Sequence, residues 1–153
     1  MAKKILLVED NGSLSYELKE KIDNLEGGGK YFAEIAYSYI AAFGIWEEDN
    51  GNFDCIVLDL QINPAGLTIE EVEAYQPVFG IAFLNKICEG KTPEERADIY
   101  KKTVIYSGFT RELDVWKKHN HALSLHLKNI TETAKRRFGI PDLLNTITKI
   151  CER

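Results

Sequence analysis

The sequence predicts an α/β domain: a doubly wound parallel sheet of five strands with helices on both faces. Three observations predict it. Short runs such as Ile5-Leu6-Leu7-Val8, Cys55-Ile56-Val57-Leu58 and Thr103-Val104-Ile105-Tyr106 lack polar alternation, as strands buried on both faces do. Segments with apolar residues at helical spacing separate these runs. At 153 residues, 44% hydrophobic and 28% charged, the chain has the size and composition of one ordinary globular domain.

The elements follow in order along the chain. Ile5 to Val8 is the first strand, and Ser13 caps a helix carrying Leu14, Leu18, Ile22 and Leu25 at helical spacing. Gly27-Gly28-Gly29 ends that helix, and Tyr31 to Tyr37 forms the second strand with Ala33, Ile35 and Tyr37 on one face. Tyr39 to Glu48 is helical and closes in the turn Asp49-Asn50-Gly51-Asn52, after which Cys55 to Leu58 is the third strand. Asn63-Pro64-Ala65-Gly66 then leads into Thr68 to Tyr75, which has a cap and a helix-like pattern. Phe79 to Cys88 is a helix with Ile81, Leu84, Ile87 and Cys88 inward. Thr92-Pro93-Glu94-Glu95 starts another, with a cap, a proline at the first position and acids in the first turn. The fourth strand, Thr103 to Tyr106, ends at Ser107-Gly108, and Thr110 to His119 is a short helix. Ala122 to Leu127 is expected as the fifth strand, ending at Lys128, before a last helix from about Pro141 to Glu152. Leu144, Ile147, Ile150 and Cys151 stripe that helix.

Charge and cysteine usage narrow the function classes. A net charge of −5 argues against a nucleic-acid partner. The densest basic cluster, Lys135-Arg136-Arg137, reads as a solvated helix face. Cys55, Cys88 and Cys151 are widely spaced, odd in number and without CxxC spacing, as expected of free buried thiols in a reducing cytosol. The apolar run after Met1-Ala2-Lys3-Lys4 is too short for a signal peptide, and no run reaches membrane-spanning length. The reading is a soluble cytoplasmic protein with no membrane partner.

In open parallel sheets, ligands bind at the carboxyl ends of the strands. Here the first strand ends in Glu9-Asp10, the third in Asp59, the fourth in Ser107 and the expected fifth in Lys128. Asp59 alone could be a strand-end cap; the convergence of these ends makes it a site candidate. Clustered carboxylates repel one another unless a cation joins them. A hard divalent ion with oxygen ligands answers this, and Mg2+ suits one or two carboxylates together with phosphate oxygens. A carboxylate held in such a site can attack a phosphoryl group and form an aspartyl phosphate. A lysine and a hydroxyl beside it would neutralise and orient the transferred group.

The blocks "KKILLVEDN", "FDCIVLDLQ", "VIYSG" and "LHLK", in that order and across essentially the whole chain, resemble two-component response-regulator receiver domains. That resemblance implies a flavodoxin-like sheet of order 2-1-3-4-5 in a single domain over residues 1–153. It implies Asp59 as phosphoacceptor, Asp10 as a direct Mg2+ ligand, Glu9 as a ligand through water, and the backbone carbonyl of Gln61 as another. Ser107 would bond the phosphoryl group, Lys128 would pair with it, and Gly108 would leave room for the donor. The implied partners are a sensor histidine kinase or phosphotransfer protein and a downstream protein, with the chain a monomer or weak homodimer. Room for one helix after the fifth strand suggests a stand-alone receiver with no output domain, which catalyses only its own phosphorylation and dephosphorylation.

The sequence also departs from the family pattern. Asn129 follows Lys128 where proline is usual, and Leu125 stands three residues before it where an aromatic often switches, leaving His126 or Tyr106 as substitutes. An insertion of about residues 64–78 lies between the third strand and the next helix, and the stretch Glu89 to Lys102 lengthens the following connection. These segments are either tolerated surface elaboration or a lid or partner surface. His119, His121 and His126 lack metal-site spacing, and Trp46 and Trp116 read as packing residues. Two alternatives stay open: a receiver used as a phosphorylation-independent interaction module, and an aspartate-nucleophile phosphatase. Gln61 counts against the phosphatase, since that class usually places a second aspartate there.

Overall fold

A computed structural model describes residues 1–120, 127, 130–135 and 139–152. Five parallel strands form one sheet in the order β2-β1-β3-β4-β5. They are β1 (Lys3–Val8), β2 (Tyr31–Ala36), β3 (Cys55–Leu58), β4 (Thr103–Ser107) and β5 (Thr131–Ala134). The helices between and after them are α1 (Gly12–Asp23), α2 (Tyr39–Glu48), α3 (Ile69–Tyr75), α4 (Phe79–Cys88), α5 (Pro93–Lys101), α6 (Thr110–His119) and α7 (Gly139–Cys151). The expected fold class and strand order are both present.

Alternate residues of each central strand feed two cores. Leu6, Val8, Ile56, Leu58 and Ile105 face α2, α4 and α6, joined there by Trp46, Phe83 and Trp116. Ile5, Leu7, Cys55, Val57, Val104 and Tyr106 face α1 and α7, against Leu18, Ile22, Leu143 and Ile147. Both faces of the sheet are covered, which is why the central strands carry no polar alternation.

Local chemistry accounts for the helix ends. Asn11, rather than Ser13, caps α1, its side chain accepting from the Leu14 N–H at 3.0 Å. Thr68 and Thr92 each close a capping box, with Glu71 and Glu95 three residues on. The first helix ends at Asp23, before the three glycines, and Leu25–Gly27 forms a single 3-10 turn. On β2 the residues of the α1 side are Tyr31, Ala33 and, partly buried, Ile35, whereas Tyr37 lies beyond the strand and is exposed. At the front of α4, the Gly80 N–H donates to the Leu60 carbonyl at 2.9 Å. A Cβ on Gly80 would lie 2.2 Å from the Asp59 carbonyl oxygen, so only glycine lets this helix sit on the end of β3.

The fifth strand is the main correction. It runs through Thr131–Ala134, paired with β4 from Val104↔Thr131 to Ser107↔Ala134, not through Ala122–Leu127. Residues 122–126 lie outside the described residues; Leu127 and Ile130 are buried in the core but belong to no strand. The reason is positional. An edge strand pairs on one side only, so β-branched threonine suffices where a central strand needs an apolar run. Leu127 and Ile130, just before it, pack into the core.

Candidate phosphoacceptor site

β1, β3 and β4 lie side by side in parallel, so their carboxyl ends form one rim. The Glu9 N–H donates to the Ala36 carbonyl and the Asp59 N–H to the Val8 carbonyl, both at 3.0 Å. These bonds carry the strand geometry one residue further and aim both acidic side chains above the sheet. Glu9, Asp59 and Ser107 are buried, while Asp10 is exposed.

Every oxygen of the Asp59 carboxylate is engaged. Its Oδ1 accepts from the Ser107 hydroxyl at 2.8 Å and, more loosely, from the Gln61 N–H at 3.3 Å. Its Oδ2 accepts from the Lys135 ammonium at 2.8 Å. The same ammonium forms a close ion pair with Glu9, whose other oxygen accepts from the Asn11 N–H at 3.1 Å. The Ser107 oxygen in turn accepts from the Phe109 N–H at 3.1 Å and faces the Leu60 N–H at 3.4 Å.

Glu9, Asp10 and Asp59 bring one carboxylate oxygen each within 4.8 Å of one another. Among the described residues a single ammonium, Lys135, is in contact with this cluster, and it touches Glu9 and Asp59 but not Asp10. The electrostatic consequence falls on Glu9: burial, then the charge of Asp59, pushes its pKa up to about 7 against the pull of Lys135. Asp10 moves upward from the same two causes in the same order. Burial drags Lys135 down, but its hydrogen bonds to Asp59 and Glu9 outweigh that and leave it raised. The site therefore holds an excess of negative charge that one further cation would relieve. Three oxygen donors at this spacing fit a hard divalent ion of the Mg2+ type.

The ammonium at the site is Lys135, a residue the sequence reading placed on a solvated helix face. Lys128, expected in this role, lies outside the described residues. So do Leu125, Asn129, His121 and His126. Lys135 follows β5 directly, and its N–H donates to the Ser107 carbonyl at 3.1 Å, which locks it onto the rim. Counted from Lys135, the family's proline position holds Arg136 and its aromatic position holds exposed Glu132. Tyr106 is buried on the α1 and α7 side, with Lys135 Nζ 5.9 Å from its ring centre. Among the described residues no histidine joins a cluster of possible metal ligands.

The sheet order, the covered faces and the acidic rim together define the fold of CheY-like response-regulator receiver domains, and solved structures of that class superpose over the whole chain. No protein-family model matches the sequence, and no curated protein matches it. A CheY-like receiver domain protein from Methanospirillum hungatei aligns at 18% identity and TM-score 0.62, covering 99% of this chain and 95% of that one. The chemotaxis protein CheY4 of Vibrio cholerae aligns at 16% identity and TM-score 0.63, over 98% and 99% of the two chains. The Mn2+-bound form of response regulator Rcp1 aligns at 22% identity and TM-score 0.59, over 97% and 91%.

Proposed function

We propose that this chain is a phosphoacceptor switch that takes a phosphoryl group onto Asp59 in the presence of Mg2+. The observation that carries the reading is the setting of Asp59: a buried carboxylate between a hydroxyl and an ammonium, with two more carboxylates beside it. Glu9, Asp10 and Asp59, with the backbone carbonyl of Gln61, would hold the ion; an Mn2+-bound structural neighbour supports that assignment. Bound there, Mg2+ supplies positive charge against the phosphoryl oxygens.

In the reaction an Asp59 oxygen attacks phosphorus, and the bond from phosphorus to the donor's leaving atom breaks. Because both Asp59 oxygens are hydrogen-bonded, one of those bonds must be exchanged. Lys135 keeps its charge throughout and pairs with the incoming oxygens. The Ser107 hydroxyl, now donating to Asp59, turns to donate to a phosphoryl oxygen instead. The added charge then biases two arrangements of the rim that lie close in free energy. The donor is a sensor histidine kinase or phosphotransfer protein, and a downstream protein reads the result. The chain works as a cytoplasmic monomer or weak homodimer, and it acts on no substrate other than its own phosphoryl group.

Incubation with acetyl phosphate, with and without Mg2+, tests this by intact-protein mass. The expected product is one phosphoryl adduct that needs Mg2+ and is lost in Asp59→Asn. No adduct under these conditions would leave an interaction module as the better reading. Continuous release of phosphate over many turnovers would favour a phosphatase.

A further inference from the structure

The insertion is fastened at three points to helices of one face of the sheet. At its start, the Tyr39 and Ile40 N–H groups of α2 donate to the Asn63 and Ala65 carbonyls at 2.9 and 3.1 Å. Gly66 is pressed against Ile40, where a Cβ would come within 2.7 Å. At its end, the Tyr75 hydroxyl accepts from the Asn85 side chain of α4 at 3.0 Å. The third fastening reaches α6: the Trp116 indole N–H donates to the Ala74 carbonyl at 2.8 Å, and the Tyr75 and Trp116 rings stack with centres 5.7 Å apart.

α6 is also the helix that leaves the site. Ser107 bonds Asp59, the Phe109 N–H bonds the Ser107 oxygen, and the Phe109 carbonyl accepts from the Leu113 N–H in the first turn of α6. Trp116 lies less than two turns further along the same helix. A hydroxyl that turns away from Asp59 alters the bond to Phe109 and so the seat of α6. α6 cannot shift without stretching the Trp116–Ala74 bond or dragging α3, which is tied to α4 and, through residues 63–66, to α2.

We propose that Trp116 is a positioning residue for Ser107: the inserted helix α3 grips its ring and indole N–H, and so holds α6 where the Ser107 hydroxyl faces Asp59. The inference rests on Asp59 being the phosphoacceptor for its consequence, but not for the coupling itself. Since the two contacts share one rigid helix, the state of Asp59 and the grip on Trp116 are linked reciprocally. The insertion opposes the loaded state, and loosening it favours loading.

Two measurements on the full chain test this. Trp116→Phe keeps a ring for the stack but loses the bond to Ala74, and Tyr75→Leu loses the stack while leaving that bond and every residue of α6 in place. Each is expected to raise the initial rate of Asp59 loading by acetyl phosphate and Mg2+ about fivefold, the worth of one net hydrogen bond. A merely structural role would lower the melting temperature and leave that rate unchanged. In protein labelled with 5-fluorotryptophan, the fluorine resonance absent from Trp116→Phe is that of Trp116. It is expected to move in Ser107→Ala while the Trp46 resonance stays. Wild-type loading rates in both variants, or an unmoved Trp116 resonance in Ser107→Ala, would overturn the proposal. If wild-type Asp59 takes no phosphoryl group, the phosphoacceptor reading fails, and the fluorine shift still decides the coupling.

Discussion

The raised pKa of Glu9 makes stability in the absence of divalent ions fall as pH rises, the reverse of the usual carboxylate behaviour. In the folded chain Glu9 holds its proton up to about pH 7, whereas the unfolded chain releases it near 4.5. Between those values the folded state binds more protons at Glu9, so the contribution of Glu9 to stability is greatest below pH 4.5 and is lost as pH rises through about 7. The gap corresponds to about 3 kcal/mol at about 1.4 kcal/mol per pH unit, the Lys135 ion pair being already included among the causes. For a chain of this length that is a fall in melting temperature of roughly 6–12 °C.

The perturbation is Glu9→Gln, which keeps the shape of the protonated acid and removes the titration. Urea denaturation from pH 5 to pH 8 without divalent ions is the assay. Wild type should lose about 2.5 kcal/mol relative to the variant across that range. All other ionisable groups are common to both proteins, so the difference between the two curves isolates Glu9. At pH 8 the variant should be the more stable protein, and added Mg2+ should stabilise wild type more than the variant. Parallel curves for the two proteins would refute the reasoning, because they would mean that Glu9 is charged at both ends of the range.

Other perturbations bear on the same site. Lys135→Met strips the only described ammonium in contact with Glu9 and Asp59; it should destabilise the chain by about 3–5 kcal/mol at pH 8 and abolish the phosphoryl adduct. Lys128→Met is expected to leave the adduct intact, and mass spectrometry of the two variants side by side decides which lysine serves Asp59. Gly80→Ala forces a Cβ against the Asp59 backbone and should cost roughly 1–3 kcal/mol by urea denaturation, with slower loading of Asp59. Removing Mg2+ with a chelator should abolish loading by acetyl phosphate in wild type, as followed by intact mass.

Much of this architecture is written locally in the chain. Ile5 to Val8, Cys55 to Leu58 and Thr103 to Ser107 are buried on both faces, and their apolar runs announce it. Thr68 with Glu71 and Thr92 with Glu95 mark helix starts through bonds that span three residues. Glu9, Asp59 and Ser107 follow from the rule that parallel strands present their carboxyl ends together. Asn11 rather than Ser13 is the cap because it stands three residues before Leu14, whose N–H its side chain accepts. The fifth strand was not legible, because Thr131–Ala134 draws its order from pairing with β4 and not from an apolar pattern of its own. Missing that strand also hid Lys135. A lysine in a basic cluster looks solvated until the register Ser107↔Ala134 sets it beside Asp59. Trp116 was rightly expected to pack, but its bond to Ala74 joins residues 42 apart, and nothing local signals it.

The most direct test of the central claim is chemical trapping at residue 59. Borohydride reduces an acyl phosphate to an alcohol and leaves a free carboxylate untouched, so an aspartyl phosphate becomes homoserine. After loading with acetyl phosphate and Mg2+, followed by reduction, peptide sequencing by mass spectrometry should find homoserine at position 59 and nowhere else. Homoserine at Asp10 or another aspartate, the corresponding five-carbon alcohol, 5-hydroxynorvaline, at Glu9 or another glutamate, or an unmodified Asp59 in protein that carries the adduct, would contradict the account.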